Sequence, residues 1–180
     1  MSSTRAVVVF ESMFGNTELV AEAVGAGLAP HAPVEVVNVD DAPSALDGIG
    51  LLVAGGPTHV HGMTRRRTRE EAALQARSGT RSKRTGLREW LDTLEKAPAE
   101  LVTAVFDTRI AKPPWLTGSA ALGARKRLRR LGCELLVPPE SFFVDSSDPG
   151  AALSEGEKDR ARAWGDELGA RYATLTNRRS

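Results

Sequence analysis

The chain has 180 residues, 41% of them hydrophobic and 26% charged, with 24 Lys and Arg against 23 Asp and Glu. That is the balance of a soluble globular domain with one core, and a formal net charge of +1 excludes a dedicated nucleic-acid binder on whole-chain grounds. Cys133 is the only cysteine, which excludes an intrachain disulfide and a cysteine zinc cluster, and no run reaches the roughly 18 apolar residues of a membrane span.

Met1–Arg5 leads straight into an apolar run without a signal-peptide core, so the expected location is cytoplasmic. That run, Ala6–Phe10, is unbroken and β-branched, the pattern of a strand buried on both faces. Leu19, Val20, Ala23, Val24, Gly27 and Leu28 then recur at helical spacing until Pro30. Val34–Val39 reads as a strand and Asp40–Pro43 as a turn, while Gly50–Gly55 is a second wholly apolar strand. Thr68–Glu71 has capping-box spacing and predicts a short helix through Ala72, Ala73 and Leu74, followed by a mobile basic loop over Gly79–Gly86. Leu87, Trp90, Leu91 and Leu94 mark a helix, and Leu101–Phe106 a fourth strand. Ala121, Ala124, Leu128 and Leu131 form a helical stripe opposite a basic face. Glu134–Val137, with Ser141–Val144 as its continuation, is the fifth strand, and Ala161, Trp164, Leu168, Tyr172 and Leu175 give a closing helix. Cys133, after Gly132 at a helix–strand junction, reads as a core residue.

Strict alternation of helices with doubly buried strands predicts a three-layer α/β/α doubly wound parallel sheet. Such sheets bind ligands beyond the carboxyl ends of their strands, so the segments after Phe10, Gly55 and Phe106 are the ones to read for chemistry. One domain over residues 1–176, with a short basic tail at 177–180, is expected. Charge is segregated along it: residues 63–86 carry eight Lys and Arg against two Glu, and residues 1–60 one Arg against seven acids.

Ser12-Met13-Phe14-Gly15-Asn16-Thr17 joins the first strand to the first helix. Ser12, Asn16 and Thr17 are helix-capping residues, and their hydroxyls and amide, with backbone N–H groups at a helix start, also suit a phosphate. Both readings stand on spacing alone. The loop holds no Lys or Arg, so a dianion there would rest on amides and hydroxyls. The P-loop and G-x-G-x-x-G patterns are absent. A phosphoaccepting receiver domain would need an Asp ending the third strand, which instead closes on Val53-Ala54-Gly55-Gly56.

Ser12–Thr17 after an apolar strand resembles the flavodoxin phosphate loop, [ST]-x-x-G-x-T, and Gly56–Met63 is similar to that family's second flavin loop. The resemblance spans the whole chain and implies a flavodoxin-like sheet of five parallel strands in the order 2-1-3-4-5, with FMN as cofactor. It implies that Ser12, Met13, Phe14, Gly15, Asn16 and Thr17 wrap the FMN phosphate. Pro57, Thr58, His59, Val60, His61 and Gly62 of the second loop, and Asp107, Thr108, Arg109 and Trp115 of the third, would then flank the isoalloxazine. The second loop offers His59, His61 and Met63 where the family usually has Trp or Tyr. Arg109 would stabilise an anionic reduced flavin; the plainer alternative pairs it with Asp107 at the strand end. His61 reads equally as solvent-facing, and His59-x-His61 has no Cys, Asp or Glu beside it to complete a metal site.

The function implied is electron transfer or oxidoreduction, with a redox partner protein or a small-molecule electron acceptor and, as a further candidate, a pyridine nucleotide. The alternatives are an NAD(P)H:quinone or protoporphyrinogen-type oxidoreductase, and a flavin-free module of the same fold that docks an acidic partner. Arg125, Lys126, Arg127, Arg129 and Arg130 are either a solvated helix face or, with the 65–84 cluster, that docking patch. No nucleophile–base pair stands out, so no protein-side covalent catalysis is expected.

Overall fold

The structure, a computed structural model, describes residues 5–59, 62–75, 81–146 and 150–179. Strand β1 (Arg5–Phe10) lies between β2 (Val34–Asn38) and β3 (Ile49–His59), all parallel, and β5 (Val102–Ile110) follows β3. A two-residue strand, β4 (Gly62–Met63), turns back antiparallel on the end of β3. The expected order holds, with the last strand in two pieces. β6 (Glu134–Leu135) pairs with Val102 and Thr103, and β7 (Glu140–Val144) pairs with Phe106–Ile110 further along β5. Pro138 and Pro139 separate the pieces. Neither proline carries an N–H, so the ladder cannot continue through them.

Alternate strand residues feed two cores, one on each face of the sheet. Val8, Phe10, Val53, Phe106 and Phe142 pack under helices α1 (Asn16–Leu28) and α6 (Glu157–Arg179). Phe106, Phe142 and Trp164 meet edge to face, with ring centroids 5.9–6.2 Å apart. The two helices touch backbone to backbone, because a Cβ on Gly27 would lie 2.1 Å from the Arg162 carbonyl oxygen. Val7, Val9, Leu52, Ala54 and Val105 face the other way, against α3 (Leu87–Thr93) and α5 (Ala120–Arg130). Cys133 is buried in this second core, as its context suggested. No helix among the described residues is long and apolar enough to cross a membrane.

Several boundaries differ from the sequence reading. α2 (Arg66–Gln75) starts two residues before Thr68, held by the Arg66–Glu70 and Arg67–Glu71 pairs one turn apart. Thr68 therefore lies inside the helix and exchanges hydrogen bonds with the Arg65 backbone instead of capping it. β3 and β5 run past their apolar cores, so Pro57, Thr58, His59, Asp107, Thr108 and Arg109 belong to strands where loops were expected. Pairing with β1 stops at Gly55, two residues before Pro57, so the missing N–H of the proline breaks no bond of that ladder. Residues 81–86, read as mobile, are tied down, as described below. Residues 177–179, read as a tail, are the last turn of α6.

Candidate functional site

At the carboxyl ends of β1, β3 and β5 lies a cavity of about 410 Å³. Met13, Phe14, Asn16 and Thr17 line it from the first loop, and Pro57, Thr58 and His59 from β3. Thr108, Arg109 and Ile110 of β5 face them. A single-turn helix, α4 (Pro114–Thr117), contributes Leu116 and Thr117, and Val144, Ser146 and Ala151 close the side next to β7.

The first loop turns at Gly15, whose φ of +99° is the left-handed region that glycine adopts without strain. Gly15 is also the N-cap of α1, so no side chain caps that helix. The three candidate caps are turned to other work. The Ser12 hydroxyl accepts from the Gly15 amide at 3.1 Å, Asn16 Nδ2 donates to the Ala151 carbonyl at 2.7 Å, and the Thr17 and Thr108 hydroxyls share a hydrogen bond of 2.7 Å. The last of these is buried and joins the first loop to β5.

Asp107, expected beside a flavin, is fully buried and faces away from the cavity. Its Oδ2 accepts from Thr58 Oγ1 at 3.1 Å, Ser119 Oγ at 2.5 Å and the Ala121 amide at 3.1 Å, which fastens the start of α5 to β3 and β5. Its Oδ1 has no hydrogen-bond partner among the described residues. The Asp107–Arg109 contact is 3.8 Å, too long for a charge-assisted hydrogen bond. Arg109 does line the cavity, 9% exposed, with Nε donating to Ser141 Oγ at 3.1 Å, Nη1 to the Lys112 carbonyl, and its guanidinium 5.3 Å from the Phe143 ring centroid. Burial pushes the His59 imidazole below its ordinary pKa, so the cavity wall there is neutral at pH 7.

Ser12 and Gly15 shape the loop without lining the cavity. Trp115 is 83% exposed and outside the lining, because successive helical residues point about 100° apart and Leu116 and Thr117 take the inward positions. Gly62 pairs with His59 across the β3–β4 hairpin, and Val60 and His61 lie outside the described residues. The sequence reading missed Ile110 and Val144, which a longer β5 and the strand-end rule for β7 would have found, and Leu116, Thr117, Ser146 and Ala151, which carry no motif.

Two polar clusters support the first loop from behind. Glu11, fully buried, accepts from the Thr64 hydroxyl and, at 2.8 Å, from the Leu87 amide that begins α3. Burial raises the Glu11 pKa, and the Thr64 and Leu87 hydrogen bonds and nearby Arg69 only partly offset it. Residues 81–85 form the second cluster. Arg81 and Ser82 donate backbone N–H groups to the Met13 and Ser12 carbonyls at 3.2 and 2.8 Å, and Ser82 Oγ accepts from the Ser12 amide at 2.9 Å. Asp40 collects the amides of Lys83, Arg84 and Thr85 at 2.6, 3.0 and 2.7 Å. Partial burial works against ionisation of Asp40, but those three donors outweigh it and hold its carboxyl below the usual range.

The sheet order β2-β1-β3-β5-β6, with a helix layer on each face, is that of a flavodoxin-like fold, and the cavity lies at the carboxyl edge of that sheet. No family model and no curated protein matches the chain. Among solved structures, it is similar to Flavodoxin 2 from Bacillus cereus, at 16% identity and a TM-score of 0.63 over 95% of this chain and 99% of that one. A flavodoxin from the domain Archaea gives 16% identity and a TM-score of 0.62 over 93% and 98%. The flavodiiron protein from Giardia intestinalis gives 16% and 0.60, over 97% of this chain and 37% of that longer one. At such identities the likeness is one of fold.

Proposed function

We propose that the chain binds FMN in this cavity and acts in electron transfer. The observation that carries the reading is the convergence of three segments on one space: residues 13–17, the end of β3 and the end of β5. A volume of about 410 Å³ falls within the range of small-molecule sites. The uncapped start of α1 leaves first-turn N–H groups for a phosphate, with Asn16 and Thr17 beside them. Thr58, His59, Thr108 and Arg109 would border the ring system, with Phe14, Ile110 and Leu116 as apolar wall. FMN, when bound, supplies one- and two-electron transfer; the chain supplies anchoring, orientation and a buried cation at Arg109. The acceptor in this reading is a redox partner or a small molecule, and the setting cytoplasmic.

The test is reconstitution. Purified protein titrated with FMN should quench flavin fluorescence at one equivalent and emerge yellow from gel filtration. Protein that stays colourless and takes up no FMN refutes the reading. Oxidation of NAD(P)H with a quinone by the holoprotein alone would mark it as a reductase, and delivery of electrons only through a separate reductase would mark it as a carrier.

A further inference from the structure

The phosphate loop of the sequence has no cation of its own, but the fold brings one to it. Arg81 stands 66 residues after Gly15 in the chain, and its Nε is 4.0 Å from where a Cβ on Gly15 would be. Because residue 15 is glycine, no side chain at that turn stands between the guanidinium and the loop's backbone. The backbone of Arg81 is fixed on both sides: its N–H donates to Met13, its carbonyl accepts from Asn38 Nδ2 at 3.3 Å, and Ser82 is anchored to Ser12. The Arg81 side chain is two-thirds exposed and pairs with Glu18, in the first turn of α1, through an Nε–Oε2 contact of 3.2 Å. Arg81 thus sets one cation of the basic 63–86 segment against the loop.

We infer that Arg81 is a counter-ion for the phosphate of the bound nucleotide, with Glu18 as its resting partner, so that the pair sets preference for the phosphorylated flavin over the unphosphorylated one. The inference rests on the FMN reading. Arg81 lies outside the cavity lining, so the attraction acts across the Gly15 turn, partly screened by solvent. Arg81 and Glu18 carry opposite charges near the same anion. Removing Arg81 takes away attraction; removing Glu18 takes away repulsion and releases Arg81. A purely structural ion pair predicts the same sign for both losses.

The experiment titrates wild type, Arg81→Gln, Arg81→Lys and Glu18→Gln with FMN and, separately, with riboflavin, at about 20 mM and about 500 mM salt, circular dichroism verifying the fold. Expected at low salt are an FMN Kd about two- to fivefold weaker for Arg81→Gln, unchanged for Arg81→Lys, and about two- to fivefold tighter for Glu18→Gln. The differences should shrink at high salt, where the screening length falls to a few Å. Riboflavin affinity should be the same in all four proteins. Arg81→Gln binding FMN like wild type, the Gln variants shifting FMN the same way, or riboflavin shifting as FMN does would each overturn the inference and leave the FMN reading intact. Wild type that binds neither flavin would overturn the FMN reading itself.

Discussion

The Thr17–Thr108 hydrogen bond offers a direct measure of how the candidate site is wired. Both side chains are buried, 2% and 5% exposed, and their hydroxyls lie 2.7 Å apart. Thr17→Ala leaves the Thr108 hydroxyl buried without this partner, which costs about 1–3 kcal/mol, and Thr108→Ala does the same to Thr17. The double variant has no orphan left, so it should be less destabilised than the sum of the singles by about 1 kcal/mol. Urea denaturation of the apo proteins measures this cycle. FMN titration then separates the two roles: Thr17→Ala should lose at least about tenfold in affinity, or about 1.4 kcal/mol, while Thr17→Ser keeps most of it. An apo cycle that is additive would refute the hydrogen bond as a stabilising tie. FMN affinity unchanged by Thr17→Ala would leave Thr17 as a structural tie between loop and strand and remove it from the binding site.

Glu11 and His59 should give stability profiles of opposite slope. The folded Glu11 pKa is raised, so the folded state binds more protons than the unfolded one; its favourable contribution is complete below about pH 4.5 and is lost as pH rises through the raised value. Glu11→Gln should therefore gain on wild type over that climb, and Glu11→Ala should lose about 1–3 kcal/mol for each of the Leu87 and Thr64 groups it orphans, both read by denaturation from pH 4 to 8. The folded His59 pKa is lowered, so stability present above about pH 6.5 is lost as pH falls toward the lowered value; His59→Gln should flatten that acid limb. Trp115→Ala should change unfolding free energy by less than about 0.5 kcal/mol and leave FMN affinity unaltered, since the ring is exposed and off the cavity wall. A marked loss of FMN would put Trp115 back at the flavin.

The sheet was legible because doubly buried strands write themselves as unbroken apolar runs: Ala6–Phe10, Gly50–Gly55 and Leu101–Phe106 need no partner to be recognised. Their carboxyl ends were less so. Gly56-Pro57 reads as a strand stop, yet β3 continues because β5 still supplies a neighbour at Pro57↔Thr108. The turn chemistry of Ser12–Thr17 exposed the loop, but its side chains serve as long-range ties, and no local rule says that Asn16 meets Ala151 or Thr17 meets Thr108. The same holds for residues 81–85. Their composition, basic and without an apolar residue, is that of a loose loop, while what fixes them is Ser12, Asn38 and Asp40, 43 or more residues earlier. Trp115 misled in the other direction, since an aromatic near a cavity need not face it.

One carboxylate, that of Glu11, grips both Thr64 and Leu87, and so pins together the two ends of a 22-residue excursion from the sheet, residues 65–86. Closing a longer excursion at the same clasp adds only about 0.6 kcal/mol for each doubling of length. Length added to the excursion therefore carries little loop-closure penalty as long as the clasp at Thr64 and Leu87 is kept, so it is the one buried carboxylate, and not the reach of the intervening chain, that fixes the excursion to the strands beneath it.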